Sequence, residues 1–184
     1  MKKIILSIAA VATMGTSVAV SAQQSDLYGE VGFAALKIKD ESGTLGSFDN
    51  TAVKFTLGKV VASNIALEAM IGTGMSDDSK VISGVNVSVE TKEYYGAFVR
   101  PFAKINDDFE VFARVGYFHG KLRATASNGV ASASISDSGG DIAYGVGAAY
   151  NITKTTALVV DYMNYYDKED TKVNGFGLGL RYKF

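Results

Sequence analysis

The sequence contains no cysteine and no tryptophan, and it has one proline and one histidine among 184 residues. Without cysteine, disulfide bonds and thiolate chemistry are excluded. Basic and acidic residues number 18 and 19, so the formal net charge is −1. The composition therefore lacks the basic footprint of a nucleic-acid-binding protein, and its length suits a single domain.

Candidate catalytic groups are also scarce. His119 is the one histidine, and the residue pattern described below turns it away from the barrel interior. The glycine-rich stretches GFGLG and GVG lack the strand-to-helix context of a phosphate-binding loop. The acidic pairs lack the spacing of a calcium-binding loop. We therefore expect no enzymatic activity, no catalytic residues, no metal site and no cofactor.

The first 22 residues have the features of a Sec signal peptide. MKK is a short basic start, residues 4–20 are uncharged and mostly apolar, and VSA supplies small residues before a cut after Ala22. A membrane anchor is the alternative, but the apolar stretch weakens towards its end. We expect residues 23–184 to form the exported domain.

Beyond the signal peptide, apolar residues recur with a period of two, which indicates β-strands. GFGLGLRYKF, residues 175–184, has aromatic and aliphatic residues on one face and glycines and cations on the other. The segments 109–118 and 141–152 split in the same way. Long helical patterns are absent from this region.

Eight such strands can be drawn, joined alternately by short and long connections. The predicted strands are 27–39, 51–62, 65–74, 87–105, 109–124, 141–152, 156–167 and 172–184. The tight turns are 63–64, 106–108 and 153–155, which consist of turn-forming residues. The longer loops are 40–50, 75–86, 125–140 and 168–171.

Two all-β architectures fit eight antiparallel strands. A soluble barrel or sandwich buries its apolar face, whereas a membrane barrel turns that face to lipid. Three features favour the membrane: glycine-rich polar faces with charges, alternating turn and loop lengths, and aromatic residues at the ends of the apolar faces. The sequence predicts an eight-stranded antiparallel up-and-down transmembrane β-barrel in the outer membrane of a Gram-negative bacterium.

Charged residues on the inward faces form the first candidate site. They are Glu30, Glu68, Arg100, Glu110, Arg114, Asp161 and Arg181. Unpaired buried charge is costly, so we expect these side chains to pair in the lumen. Such a network could fill the barrel as a plug, which we favour, or line a gated ion path.

Cations at the outer ends of two strands form the second candidate site. Lys37, Lys39, Lys121 and Arg123 appear where the lipid-facing stretches should end. Cationic groups at that rim could bind the phosphates of lipopolysaccharide, or they could simply be solvated. The two strands should lie on opposite sides of the barrel, which gives two small sites.

Several segments resemble the small outer membrane proteins of the outer membrane protein X and Ail group, a porin-family type of barrel. They are YYGAFVRPFAKIND (94–107), AYGVGAAYNIT (143–153), ALVVDY (157–162) and GLGLRYKF (177–184). The resemblance implies a non-enzymatic protein, with adhesion among the activities found in the group. Gly179, Tyr182 and Phe184 resemble the C-terminal signal that the barrel assembly machinery reads.

We therefore expect a structural or surface-interaction protein whose extracellular loops contact a host or another envelope surface. The strands 87–105 and 109–124 are long enough to project beyond the membrane. A small channel for ions or solutes is the alternative. The expected partners are outer membrane lipids, lipopolysaccharide, the barrel assembly machinery and host or cell-surface proteins, with no nucleic acid, and the protein is expected to be a monomer.

Overall fold

The computed structural model describes residues 26–42, 46–82, 84–129, 131–168 and 170–184. The signal peptide predicted over residues 1–22 lies outside these ranges. The described chain forms antiparallel strands throughout. They are Leu27–Asp40 (β1), Ser47–Ala62 (β2), Ile65–Gly74 (β3), Asp77–Ile82 (β4), Val85–Lys104 (β5), Phe109–Ser127 (β6), Ser132–Asn151 (β7), Thr156–Lys168 (β8) and Thr171–Lys183 (β9).

The strands close into a barrel. Their order is β3-β2-β1-β9-β8-β7-β6-β5-β4, and β3 pairs with β5 as well, which completes a ring of eight without β4. The seam between the first and last strands runs from Tyr28↔Lys183 to Asp40↔Thr171. Closure satisfies backbone groups that lipid could not, as a membrane-spanning sheet requires. The predicted eight-stranded antiparallel up-and-down barrel is confirmed.

The barrel has its apolar face on the outside. Phe33 is 55% exposed and Ile71 is 57% exposed, whereas the inward-facing Ala34 and Ala52 are fully buried. A continuous exposed apolar surface of this kind marks contact with lipid. No helix in the described part of the chain is long and apolar enough to cross a membrane.

Aromatic side chains border the lipid-facing band at both ends. Tyr95, Tyr117 and Tyr144 lie towards one end, and Tyr150 and Tyr182 lie towards the other, all about half exposed. Tyrosine rings prefer the boundary between lipid and water because one edge is apolar and the other is polar. The two rings of aromatics therefore delimit the membrane-spanning part of the barrel.

The two ends of the barrel differ in their connections. At one end the turns are tight, and Asn106 Oδ1 accepts hydrogen bonds from the N–H groups of Asp108 and Phe109, at 3.0 and 2.7 Å. At the other end the hairpins extend further: β5, β6 and β7 are 20, 19 and 20 residues long, and β4 lies beside β5 there. In outer membrane barrels the short turns are periplasmic and the long loops extracellular, which sets the orientation used below.

Two segments predicted as loops are strands, so those predictions were wrong. Within the expected loop 75–86, residues 77–82 form β4, which pairs with the outer part of β5. Within the expected loop 125–140, β6 continues to Ser127 and β7 begins at Ser132. The sequence pattern missed them because DDSKVI and SASISDSGG have mostly polar or small residues on both faces and so show no clear period of two.

These extensions form a four-stranded sheet above the membrane, which we call the outer sheet. It comprises β4, residues 85–91 of β5, residues 120–127 of β6 and residues 132–140 of β7.

Candidate functional site

The seven inward-facing charged residues identified in the sequence lie together in the periplasmic half of the lumen. All are buried except Glu110, which is partly buried. Each comes from a strand position whose two neighbours face lipid, so the alternation of the strands alone directs these side chains inward.

Arg114 is the centre of the group. Its Nε lies 2.6 Å from Glu68 Oε2, its Nη1 lies 2.6 Å from Asp161 Oδ2, and its Nη2 lies 3.1 Å from Glu30 Oε2. The planar guanidinium presents several N–H donors in fixed directions, so one side chain can bind carboxylates from three strands. Arg114 thereby connects β1, β3 and β8 through the middle of the barrel.

Two more arginines bracket Glu110 near the periplasmic end. Arg181 Nη1 lies 3.0 Å from Glu110 Oε1, and its Nη2 lies 3.3 Å from Glu30 Oε2. Arg100 also pairs with Glu110, and its guanidinium carbon lies 4.1 Å from the centre of the Phe112 ring. Cation–π contacts of this kind add to the stabilisation of a desolvated arginine.

Lys54 on β2 belongs to the same cluster, and our sequence analysis missed it. Its Nζ lies 2.5 Å from Asp161 Oδ2, and both side chains are 1% exposed. A signal for it exists, because Val53, Phe55 and Leu57 alternate with it and are apolar. That parity turns Lys54 inward.

With Lys54 included, we call this set the lumen network, and its formal charges cancel. It comprises the four carboxylates Glu30, Glu68, Glu110 and Asp161 and the four cations Lys54, Arg100, Arg114 and Arg181. Paired and hydrogen-bonded charges avoid the large cost of isolated charge in a low-dielectric interior.

An apolar layer fills the lumen on the extracellular side of the network. Met70 and Met163 are almost completely buried there. The rings of Tyr94, Phe118 and Tyr165 contact one another, with centroid separations from 5.1 to 6.4 Å. The lumen of the described barrel is thus occupied by ion pairs and, above them, by closely packed apolar side chains.

Inward-facing glycines give the large side chains their room. A Cβ at Gly58 would overlap the Tyr28 ring, and a Cβ at Gly72 would overlap the Tyr94 ring. Tyr28 in turn donates a hydrogen bond of 2.7 Å to Glu68 Oε1. Glycine on one strand therefore accommodates an aromatic ring from a neighbouring strand.

The four rim cations identified in the sequence form two separate pairs. Lys37 Nζ lies 3.8 Å from Asp49 Oδ1, and Arg123 Nε donates a hydrogen bond of 3.2 Å to Ser136 Oγ. Lys37 and Lys39 lie on β1, and Lys121 and Arg123 lie on β6. Four steps around the ring separate these strands in either direction, so the structure does not bring the pairs together.

The other residues identified in the sequence lie on the outer surface or where β9 pairs with β1. The ring of His119 stacks near that of Tyr95, at 5.1 Å between centroids. On β9, Gly179 faces Gly32, and the ring of Tyr182 meets that of Phe184, the residue after β9, edge to face at 5.4 Å. Among the described residues, no group of three or more histidine and acidic side chains could hold a metal ion.

The outer sheet has an unpaired edge on β7. Pairing between β7 and β8 begins at Tyr144↔Asn164, whereas β6 pairs with β7 up to Ser127↔Ser132. Residues 132–143 thus have ladder partners on one side only among the described strands. Ser132–Ser138 are also exposed, so this edge is open to solvent above the membrane.

Comparisons with known proteins agree with this architecture. The model of a family described as "Outer membrane protein beta-barrel domain" matches residues 6–184. The virulence membrane protein PagC of Salmonella typhimurium is 26% identical over 191 residues, which cover 100% of both chains. The attachment invasion locus protein of Yersinia enterocolitica is 33% identical over 93 residues, or 50% of this chain and 49% of that protein. The crystal structure of Neisserial surface protein A has a TM-score of 0.64 at 16% identity, over 87% of this chain and 98% of that one, which is a likeness of fold.

Proposed function

Because this chain belongs to the outer membrane protein β-barrel domain family, we propose that it is a non-enzymatic surface protein whose outer sheet binds a macromolecular partner. Its relatives include proteins named for virulence and for attachment and invasion. We infer that its role is likewise contact with a host or cell surface.

The open edge of β7 is the observation that carries this proposal. An exposed strand edge offers a row of unpaired N–H and C=O groups to which another chain can add a strand. Natural proteins usually guard such edges with lysine or proline. The segment SASISDSGG, residues 132–140, contains neither. Its small side chains also allow another backbone to approach closely.

Adhesion of bacteria that display the protein to cultured epithelial cells tests the proposal. The variant replaces residues 124–135 with an Asn-Gly turn, which joins the ladder partners Arg123 and Ser136 directly. We expect a folded barrel, judged by heat-modifiable mobility, that no longer supports adhesion. Unchanged adhesion of bacteria with this variant, or no adhesion of bacteria with the native protein, would contradict the proposal.

A milder pair of variants locates the binding edge. Ser134→Lys introduces a charged guard on the β7 edge, and Ser79→Lys places the same charge on β4 at the opposite side of the outer sheet. We expect the first variant to reduce adhesion and the second to leave it near the native level. Equal effects would mean that charge in general, and not the β7 edge, decides binding.

We propose that the rim cations contact the phosphates of lipopolysaccharide, as two separate sites. Lys39 and Lys121 supply positive charge at the expected level, although Asp49 lies beside Lys37 and Glu90 is the ladder partner of Arg123. Those carboxylates should weaken anion binding.

Charge reversal tests the lipopolysaccharide sites. A variant with glutamate at all four rim positions should retain less lipopolysaccharide after purification than the native barrel. Lys59→Glu with Lys154→Glu, near the periplasmic turns, is the matched control. If the two variants retained equal amounts of lipopolysaccharide, the proposal would be wrong.

We infer that the lumen is closed and that the protein is not an ion channel. The neutral lumen network and the apolar layer above it support this inference, because the interior of an eight-stranded barrel is narrow enough for side chains to fill. Planar bilayers containing the purified protein should show no conductance above background. Clear and reproducible single-channel steps would contradict the inference.

We further propose export through a signal peptide that is cleaved after Ala22, and a monomeric state in the membrane. N-terminal sequencing of the protein isolated from outer membranes should begin at Gln23. Sedimentation in detergent should give the mass of one barrel.

A further inference from the structure

An apolar groove lies along the inner face of the outer sheet, beside the open edge of β7. Its volume is about 420 Å³, within the size range of binding sites. Its apolar lining is Ile38, Phe48, Val89, Leu122, Ala124 and Ile135. Across from β7 the groove is bounded by the end of β1 at Asp40 and the start of β9 at Thr171. No described strand pairs with β7 here, so the groove continues directly into the open edge.

Ile135 forms the wall of the groove on β7, and its side chain is 71% exposed. Its ladder partner on β6 is Ala124, whose partner on β5 is Val89, so the three side chains form one row across the inner face. Val89 is only 7% exposed. Cross-strand neighbours on one face are the contacts that stabilise a sheet. The apolar row therefore ends at the open edge, where a side chain from a further strand would cover Ile135.

The backbone of β7 presents hydrogen-bonding groups to this edge in a fixed phase. The N–H of Asn151 points to the β6 side, where it donates to the residue before β6. The C=O of Gly140 points to the other side, where it accepts from Lys168 Nζ. Because these groups alternate in direction along a strand, the even-numbered residues of β7 face the edge. Ser134 and Ser136 thus offer their N–H and C=O groups to an added strand.

This phase determines which side chains of an added strand reach the groove. In an antiparallel pair, the residues that exchange no hydrogen bonds lie closest, with Cα atoms about 4.5 Å apart and side chains on the same face. Ile135 and Asp137 occupy such positions, and both line the groove. A residue that faces Ile135 would therefore place its side chain in the groove.

The residue that faces Asp137 would lie beside a carboxylate. Asp137 Oδ1 accepts a hydrogen bond from the Ser138 N–H, and the carboxylate forms no ion pair within the described part of the chain. A cross-strand pair of opposite charges is favourable. A basic side chain is therefore the complement of Asp137 on an added strand.

A second copy of this chain does not fit the edge in the same membrane. β7 runs from the extracellular side to the periplasmic side, so the β7 strands of two neighbouring barrels run in the same direction. They cannot form an antiparallel pair, which is the more stable kind. The occupant that fits is an extended segment of another protein outside the membrane.

We propose that the groove and Asp137 select the segment that adds to β7. That segment spans Ser132–Ser138 in antiparallel direction, places a large apolar side chain opposite Ile135, and has a basic residue two positions earlier, opposite Asp137. The inference rests on the proposed function, strand addition at the β7 edge, and adds a sequence preference to it. Backbone hydrogen bonds supply affinity, and the sites for alternate side chains supply specificity.

The probe is the acetylated and amidated peptide Thr-Lys-Thr-Trp-Thr-Val-Thr, in which tryptophan faces Ile135 and lysine faces Asp137. The chain itself contains no tryptophan, so indole fluorescence reports only the peptide. The protein is held in phosphatidylcholine nanodiscs, and empty nanodiscs measure binding to lipid. We expect a saturable blue shift with the protein only. The peptide with threonine in place of tryptophan should compete about tenfold to a hundredfold more weakly, as loss of one buried aromatic side chain predicts.

Variants of the protein identify the groove. Ala124→Phe should fill it, weaken binding about tenfold or more and abolish the blue shift. Asp137→Asn, which keeps an acceptor oxygen for the Ser138 N–H, should weaken binding about twofold to fivefold, and only for peptides that contain the lysine. Val81→Phe, at an exposed position of β4, is the matched control and should bind as the native protein does. If Ala124→Phe did not fold, Ile135→Ala at its exposed position should still weaken binding severalfold.

Adhesion separates this inference from the proposed function. If Ser134→Lys lost adhesion and Ala124→Phe kept it, the β7 edge would bind the partner but the groove would not select it, which overturns the inference alone. Native adhesion with both variants would contradict the proposed function, and the peptide titration would then decide the preference of the groove by itself.

The titration can also overturn the inference directly. Equal blue shifts with and without the protein would mean binding to lipid only. Equal affinity for the threonine peptide, or native affinity in Ala124→Phe, would mean that the groove recognises no apolar side chain. A dimer of the protein that the peptide dissociates would assign the groove to a second copy of the chain, against the proposal.

Discussion

Lys54 and Asp161 form an ion pair across the lumen, with Nζ 2.5 Å from Oδ2 and both side chains 1% exposed. They lie on β2 and β8, which are separated in the sheet by β1 and β9. The contact therefore crosses the lumen between strands that are three steps apart in the ring, and it does not follow from strand pairing. Asp161 also accepts a hydrogen bond from Arg114, so the pair is one part of the lumen network.

Loss of Lys54 should destabilise the barrel. In Lys54→Met, Asp161 keeps only Arg114 as its cation, and the lumen network acquires a net negative charge. Removal of one partner from a buried ion pair typically costs about 3–5 kcal/mol, and we expect the lower part of that range because Arg114 remains. Urea unfolding in lipid vesicles, followed by heat-modifiable mobility, measures the change. Lys59→Met on the exposed face of β2 is the control and should cost well under ~1 kcal/mol.

The double variant Lys54→Met with Asp161→Leu should recover most of that loss. It removes one charge of each sign, so the network stays neutral and Arg114 still contacts Glu30 and Glu68. Buried ion pairs can often be replaced by apolar residues at little cost. A double variant that is less stable than either single variant would contradict this interpretation.

A side chain at Gly177 should disturb the same ion pair, because Gly177 lies against both of its charged groups. A Cβ at this position would overlap the Asp161 carboxylate and the Lys54 ammonium. We expect Gly177→Val to destabilise the barrel by about 1–3 kcal/mol, as overpacking does. Gly29→Ala on β1, where the added Cβ would make ordinary contact with the Phe184 ring at 3.5 Å, should be nearly neutral. Similar losses for the two variants would mean that backbone flexibility, and not the lumen contact, is responsible.

The strands that cross lipid and most of the projecting parts of β5 and β6 could be predicted from sequence, whereas β4 and the outer part of β7 could not. The prediction 65–74 coincides with β3, because lipid on one side and the lumen on the other impose strict alternation there. In the outer sheet, DDSKVI and SASISDSGG have mostly polar or small residues on both faces, so they show no such contrast. The period of two continues beyond the lipid only where an inner apolar face continues, as with Val87 and Val89 on β5.

The inward parity of the charges could also be predicted, but their partners could not. Alternation fixes which face a side chain occupies, and it could have identified Lys54 in the same way as Asp161. Which inward charges meet depends on strand tilt and on the stagger of the closed sheet, and neither is encoded in local sequence.

Acidification should release the β8–β9 turn from β7, just outside the aromatic band. Asp141 Oδ2 accepts a hydrogen bond of 3.1 Å from the Asp167 N–H, and Lys168 Nζ forms an ion pair with Asp141 Oδ1 at 3.0 Å. Burial opposes ionisation of Asp141, but hydrogen bonds from Lys168 and from the backbone of Asp167 and Ile142 outweigh it and lower its pKa. The hydrogen bond from Lys172 likewise lowers the pKa of Asp167.

The lowered pKa values set the direction of the effect. A carboxyl group with a lowered folded-state pKa contributes stability that is present above its ordinary pKa, about 3.9 for aspartate, and is lost as the pH falls through the folded value. The turn should therefore stay attached at neutral pH and open only below pH ~4. The amide shift of Asp167, followed by NMR during an acid titration, should show a midpoint below 3.9. Asp141→Asn should give the detached shift already at neutral pH, and a midpoint at or above the ordinary aspartate value would contradict the expectation.

Phe184 should matter more for insertion in cells than for the stability of the finished barrel. Its N–H donates to Leu27 O at 3.1 Å, and its ring is 60% exposed at the periplasmic edge. Deletion therefore removes one backbone hydrogen bond and one ring at the lipid boundary, a loss of about 1–2 kcal/mol. If the barrel assembly machinery reads the C-terminal aromatic residue, the loss of yield in cells should be far greater than this stability change explains.

Folding with and without the machinery separates the two effects. The variant without Phe184 should refold into lipid vesicles in vitro almost as well as the native chain, yet reach the outer membrane of living cells at a severalfold lower level. Phe176→Ala, which removes a ring of similar exposure from the middle of β9, is the matched control. Because this ring lies away from the C-terminus, Phe176→Ala should insert normally. Equal yields in cells for the deletion and the native chain, or an equal defect in vitro and in cells, would assign Phe184 to barrel stability and not to recognition.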